Sequence, residues 1–393
     1  MDPAKTKSRL VYKHDGTYYA AALDRKARRL YAGSSDYAIH VFDLPTLEPA
    51  TEPPKKNEPE KKDAKAPAPK FEPVARWTKH DNYVSALAWV ERTGTLVSGG
   101  YDGQLIWWDA APRGEALPDS RSRPAETRSR AVAGHAGWVR ALTATPDGAL
   151  VISAGDDMLV KLWDAASGKL VRTLEGHAKT SPQHFVTAIY ALAVSPDGKH
   201  LASADRIGVV RVWEIATGKT VQQFQVPILY TFDPRQRKRS IGGIRSVAFS
   251  PDGRHLAVGG IGQVGNVDGF EGPAHLELWD WARPQKVFAT GLEGQKGILN
   301  HLAFDPSGTW LIGAGGGNGG LLGFWKVKPL PAPSGGDEKP APDDKKPKER
   351  KEPEVPAQRV KFDGHIHDFC LSADAKELYA VGHGKVEVWG LEG

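Results

Sequence analysis

Residues 150–177, LVISAGDDMLVKLWDAASGKLVRTLEGH, alternate short apolar runs with small polar turns. Leu150, Val151 and Ile152 open one run, Leu159 to Trp163 make a second, and Leu170 to Leu174 a third. Gly155-Asp156-Asp157 separates the first pair, and Ser167-Gly168-Lys169 separates the second. Period-two runs bounded by Gly, Asp and Ser predict antiparallel strands joined by tight turns, that is, a β-meander.

The pattern recurs along the chain. Phe42, Trp108, Trp163, Trp213, Trp279, Trp325 and Trp389 each close an alternating run: IHVF, LIWW, VKLW, VRVW, LELW, LGFW and VEVW. A run ending in small residues precedes each one, such as LVSG, VISA or LASA. Earlier still come turns at Pro146-Asp147-Gly148, Pro196-Asp197-Gly198, Pro251-Asp252-Gly253 and Pro306-Ser307-Gly308. In such turns Pro fixes the first φ, Asp bonds its own backbone and Gly takes positive φ. A short apolar strand opens each unit, as in ALAW, ALTA, ALAV and SVAF, and seven units are counted this way.

With Gly134-His135, Gly176-His177, Trp108-Asp109, Trp163-Asp164 and Trp279-Asp280 in phase, the chain resembles the WD40-repeat β-propellers, whose repeats run to about 40–45 residues. The resemblance implies an all-β, single seven-bladed WD40-type propeller over residues 9–393. The run Arg9-Leu10-Val11-Tyr12 has no unit of its own. It is expected to complete the last blade and remove an open sheet edge. The fold does not fix the function, because propellers host unrelated activities.

The family often carries a buried His, Ser/Thr, Asp and Trp hydrogen-bond tetrad. Counting back from the marker aromatics gives two complete sets: His80, Ser98, Asp102, Trp108 and His135, Ser153, Asp157, Trp163. Unit one has His14 and Asp36, but Ala32 and Phe42 take the other two places. Unit four has His177, Ser203 and Trp213, with Ile207 at the Asp position; units five to seven have Pro273, Gly319 and His383 there. A catalytic triad is the competing reading of such sets. Recurrence in register favours internal bracing.

Two Pro/Lys/Glu-rich inserts, 45–72 and 329–356, hold almost no apolar residues. They are expected to be disordered. An Arg-bearing stretch at 113–130 lacks interleaved aromatics for base stacking, which argues against nucleic acid as a partner. Three further insertions, 178–186, 227–243 and 262–274, should emerge together on the opposite face, gathering Tyr230, Phe232, Arg235, Arg237 and Phe270. Aromatic and Arg side chains on scaffold-held loops are interface chemistry. Two residues before each aligned first-strand position stand Tyr19, Ser85, Arg140, Tyr190, Arg245, Asn300 and His367, with Tyr83 and Trp138 one step further back. Such a rim suits an acidic or phosphorylated segment.

Composition changes little in this picture. The chain has 393 residues, 40% hydrophobic, and its 52 Lys+Arg against 47 Asp+Glu give a net charge of +5. That balance is no dedicated nucleic-acid binder. The single cysteine, Cys370, permits no internal disulfide. The first residues, MDPAKTKSRL, show no apolar leader, and no run approaches a membrane span. A cytoplasmic chain, monomeric by default, is the expectation. His365-x-His367 lacks a third metal ligand nearby in sequence, Gly315-Gly316-Gly317 is followed by no GK[ST], and Cys370 reads as core. No catalytic residue, cofactor or metal is therefore assigned. The expectation is a non-catalytic scaffold that binds a partner protein or peptide through top-face loops and channel rim. The alternative is a propeller enzyme or a small-molecule or metal site in the channel.

Overall fold

The computed structural model describes residues 5–45, 71–110, 127–234, 239–265, 272–317, 319–327 and 357–391. Almost every regular element among them is a β-strand; a three-residue 3-10 turn at Pro227–Leu229 is the exception. No helix among the described residues is long and apolar enough to cross a membrane. The two Pro-rich inserts, 45–72 and 329–356, fall almost wholly outside the described residues.

The strands build β-propeller sheets around a central channel. Five sheets are four-stranded meanders with strands in sequence order. The template stretch is one of them: Val139–Ala144, Leu150–Gly155, Val160–Asp164 and Leu170–Leu174. The predicted turns form as their chemistry requires. Gly148, Gly198, Gly253 and Gly308 take φ of 64°, 71°, 71° and 70°. Asp147 Oδ1 accepts from the Ala149 N–H at 2.9 Å. In the seventh repeat Ala375 sits in the same left-handed region, at φ 51°, without the relief a glycine gives.

One expectation needs correcting. Among the described residues six large sheets form, not seven separate ones, because the first and last repeats share a six-stranded sheet. The cause is the strand Lys7–Asp24, 18 residues long, which runs unbroken from one repeat into the other. Its first part pairs with Glu377–Gly390, from Lys7 opposite Gly390 to Thr17 opposite His383. Its second part pairs with Arg29–Ser34. Irregularities between Ser8 and Leu10, Lys13 and Thr17, and Tyr18 and Ala20 absorb the change of direction. The N-terminal strand thus joins the last repeat to the first, and the ladder continues where an edge would otherwise be open.

The core lies between repeats. Seven apolar clusters each join consecutive repeats, and the last joins the seventh to the first. In that last cluster Tyr379, Val381, Val386 and Val388 pack with Leu10, Tyr18, Leu30 and Phe42. Alternation along each strand sends one set of side chains to each neighbouring sheet, so both faces are buried. Burying each large aliphatic or aromatic side chain contributes about 1.5–3 kcal/mol.

Candidate functional site

In repeats two, three and four a polar network ties the second and third strands to the lead-in loop. In repeat two, Trp108 Nε1–H donates to Ser98 Oγ at 2.8 Å, Ser98 Oγ meets His80 Nε2 at 2.7 Å, and His80 Nδ1 meets Asp102 Oδ2 at 2.8 Å. Repeat three has the same relay through Trp163, Ser153, His135 and Asp157. Burial pushes the Asp102 and Asp157 carboxyls up, but hydrogen bonds and charge from His80 and His135 outweigh it and hold both below their ordinary range. Ser98 and Ser153 are fully buried, so neither oxygen can meet a substrate.

Repeat four corrects the sequence reading. It has a complete relay, with Asp205 as its acid. His177 Nδ1 meets Asp205 Oδ2 at 2.7 Å, His177 Nε2 meets Ser203 Oγ at 2.8 Å, and Trp213 donates to Ser203 at 2.8 Å. Counting fixed positions back from Trp213 lands on Ile207 and misses Asp205 by two residues. Repeats five and seven are braced differently. In repeat five, Glu277 accepts from Trp279 Nε1 at 2.9 Å and lies 3.1 Å from His275 Nε2. In repeat seven, Lys385 pairs with Glu387 at 2.8 Å.

Repeat one replaces the tetrad with His14, Asp36 and His40, whose ligand atoms lie within 4.8 Å of one another. Their protons and partners are already allocated. His14 Nδ1 accepts from the Gly16 N–H at 2.8 Å, so its Nε2 keeps the proton. His40 Nδ1 meets Tyr18 Oη at 2.8 Å, and Arg76 Nε donates to Asp36 Oδ2 at 3.1 Å. This trio is a hydrogen-bonded brace.

The channel is where the repeats converge. Tyr19, Ser85, Arg140, Tyr190, Arg245, Asn300 and His367 all line one cavity of about 790 Å³. Their side chains also bind neighbouring repeats together. Ser85 Oγ donates to the Val139 carbonyl at 2.6 Å, and Asn300 Nδ2 to the Ile366 carbonyl at 2.9 Å. Tyr190 lies between two guanidiniums, 5.3 Å from that of Arg140 and 3.9 Å from that of Arg245.

The two arginines differ. Arg140 is paired, with Nε 2.7 Å and Nη2 3.1 Å from the two oxygens of Asp156. Among the described residues no carboxylate pairs with Arg245, and its Nε is buried without a hydrogen-bond partner. Burial lowers its guanidinium pKa; the Tyr190 hydroxyl opposes that through charge and a hydrogen bond, and nearby Arg140 and Arg206 add to it. Arg206 is spent on carbonyls, 2.9 Å from Ser240 O and 3.4 Å from Val186 O.

Beside the arginines stands an aromatic wall. Trp138, 40% exposed, stacks on Tyr101 at 4.0 Å with planes 5° apart, and Arg140 lies 4.5 Å over the Trp138 ring. Tyr101 continues to Tyr83 at 5.6 Å and Tyr19 at 6.2 Å, and Tyr37 meets Tyr83 at 5.8 Å. Tyr101 and Asp156 were missed by the sequence reading. Each stands seven residues before its marker tryptophan, as Arg206 does, so a second in-register count would have found all three.

The top-face insertions partly meet. Tyr230 Oη donates to Gln183 Oε1 at 2.8 Å, Phe232 lies 5.9 Å from Phe185, and the Val264 N–H donates to Thr231 Oγ1 at 3.0 Å. Arg235, Arg237 and Phe270 lie outside the described residues. The Cys370 thiol is pushed well up by burial, which suits a core residue.

The family model described as "WD domain, G-beta repeat" matches residues 71–109, 127–164, 168–214 and 236–263. The chain is a WD40-repeat β-propeller protein. Its WD40 repeats are similar to parts of several curated proteins. The nuclear distribution protein PAC1 of Gibberella zeae is 32% identical over 95 residues, 24% of this chain and 17% of that protein. PAC1 of Scheffersomyces stipitis is 37% identical over 93 residues, 21% of this chain and 18% of that protein. The pre-mRNA-splicing factor PRP46 of Saccharomyces cerevisiae is 45% identical over 53 residues, 13% of this chain and 12% of that protein. The chain therefore spans less than a fifth of the length of these relatives.

Proposed function

We propose that this WD40 protein is a non-catalytic interaction scaffold. It would hold an acidic or phosphorylated segment of a partner protein at the channel mouth. The observation that carries this reading is the buried Arg245 guanidinium, which no carboxylate among the described residues pairs with. A buried unpaired charge is costly, and an anionic group from outside would relieve that cost. The Trp138–Tyr101 stack beside it offers the flat apolar contact that peptide anchors use. Similarity to segments of PAC1 and PRP46 is similarity in WD40 repeats, the part of the chain that builds such a mouth.

The test is co-purification of the full chain from its native source with mass spectrometry. Wild type is compared with the Arg140→Ala/Arg245→Ala double variant. A specific protein retained by wild type and lost from the variant is the expected result. Capture of no specific protein, or of the same set by both, overturns the proposal.

A further inference from the structure

We infer that the aromatic wall beside the arginines is a docking track for a proline-rich partner segment in the polyproline II conformation. The inference rests on the reading of the mouth as an anion site, because it places an acidic residue of the same segment at Arg245. The track is continuous. Tyr37 meets Tyr83 at 5.8 Å, Tyr83 meets Tyr101 at 5.6 Å, and Tyr101 stacks on Trp138 at 4.0 Å. The Arg140 guanidinium lies 4.5 Å from the Trp138 ring and 5.3 Å from that of Tyr190, which in turn lies 3.9 Å from the Arg245 guanidinium. One half of the track is aromatic and the other is cationic.

Tyr37 marks the track as more than internal packing. It takes φ of 67° in the turn between the second and third strands of repeat one. Repeats two and four carry Gly103 and Gly208 at that place, with φ of 75° and 83°, which glycine adopts without steric cost. Repeat three carries Met158 there at φ 62°, and that side chain is buried in the core. The Tyr37 side chain is instead 45% exposed, so burial does not offset its backbone strain. Strain kept at an exposed side chain is characteristic of a residue held for a ligand.

The chemistry of the exposed faces selects the occupant. Neighbouring rings lie 4.0 to 5.8 Å apart, too close to admit another aromatic ring or an ammonium group between them. They offer a flat surface rather than a cage, and proline rings pack on such surfaces. Among the described residues the Tyr37 and Tyr83 hydroxyls and the Trp138 indole N–H have no hydrogen-bond partner. A polyproline II segment makes no internal hydrogen bonds, so its carbonyls are free to accept from these donors. A helical segment would keep its carbonyls for itself. At the cationic end Arg245, with no carboxylate among the described residues, takes the acidic residue.

The probe is a displayed library of short random peptides, panned on the full-length protein. The enriched sequence is then labelled and titrated by fluorescence anisotropy into wild type, Tyr37→Gly, Trp138→Ala and Arg245→Ala. A sequence with several prolines and an acidic residue at one end is expected. Trp138→Ala and Arg245→Ala should each weaken its binding at least about tenfold, and Tyr37→Gly at least about threefold. Repeats two and four use glycine at the Tyr37 position, so the melting temperature of Tyr37→Gly should hold, and its lost binding would report the ring rather than the fold. Acidic peptides without proline that need Arg245 but neither Tyr37 nor Trp138 overturn the inference and leave the anion reading standing. Proline-rich peptides that need Tyr37 and Trp138 but not Arg245 uphold the track and overturn the anion reading. Enrichment of no sequence, or of one that all three variants bind as wild type does, overturns both.

Discussion

The guanidinium of Arg245 lies 3.9 Å from the centre of the Tyr190 ring, and no carboxylate among the described residues pairs with it. Stacking on a tyrosine face returns about 0.5–2 kcal/mol. Burying an unpaired charge costs several. The position is thus poorly explained by stability alone. Arg245→Met is expected to leave the melting temperature unchanged or raise it, by up to roughly 1 kcal/mol in stability, while partner capture is lost. Thermal denaturation and co-purification on the same variant check this. A lower melting temperature with partner capture intact would make Arg245 a structural residue.

Asp205 is the acid of the fourth repeat's relay, 2.7 Å from His177. Asp205→Ala would leave a buried imidazole N–H without an acceptor, a loss of about 1–3 kcal/mol. The same change at Asp157 should cost a similar amount, because the relay is the same. Urea unfolding midpoints of the two variants supply the comparison. A neutral Asp205→Ala beside a destabilised Asp157→Ala would contradict the assignment.

The strand from Lys7 onward pairs with the last repeat from Gly390 to His383. Deleting residues 1–12 removes most of that ladder and Leu10 from the closing apolar cluster. The melting temperature of the whole propeller should fall, since the cluster between repeats seven and one is shared by both. A truncated chain that melts with the full-length protein would mean that ring closure adds nothing.

Asp36 gives the acid limb a specific origin. Burial pushes its carboxyl up, yet hydrogen bonds from His40, Ser34 and Arg76, with the charge of His40, bring it from 3.8 down to about 2. A carboxyl lowered by folding stabilises the protein above its unfolded pKa, and that contribution is lost as pH falls through the folded value. The window here runs from about pH 4 down to about pH 2. Asp102 and Asp157, also lowered, act in the same direction. Asp36→Asn should flatten the fall of the urea midpoint across this window. A variant as steep as wild type there would show that Asp36 is not the group responsible.

How much of this was legible beforehand depends on distance along the chain. The channel ring from Tyr19 to His367 was readable because it recurs at one offset in each repeat. The relays of repeats two and three were readable for the same reason. Asp205 was not, because the turn before Val209–Glu214 presents its acid two residues earlier than its neighbours do. Tyr101 and Asp156 share an offset that goes unnoticed until their rings and charges are seen against Trp138 and Arg140.

The sequence by itself determined the strands, their turns, the family and the residues that face the channel. These follow from a two-residue alternation and from glycine, proline and aspartate at fixed places, all local along the chain. Tertiary structure decided the rest. It merged the first and last repeats into one sheet, left Arg245 without a carboxylate among the described residues, and brought His383 beside His365 and His367. Each of those depends on how the ring closes. Closure sets which distant side chains become neighbours, and no local periodicity encodes that.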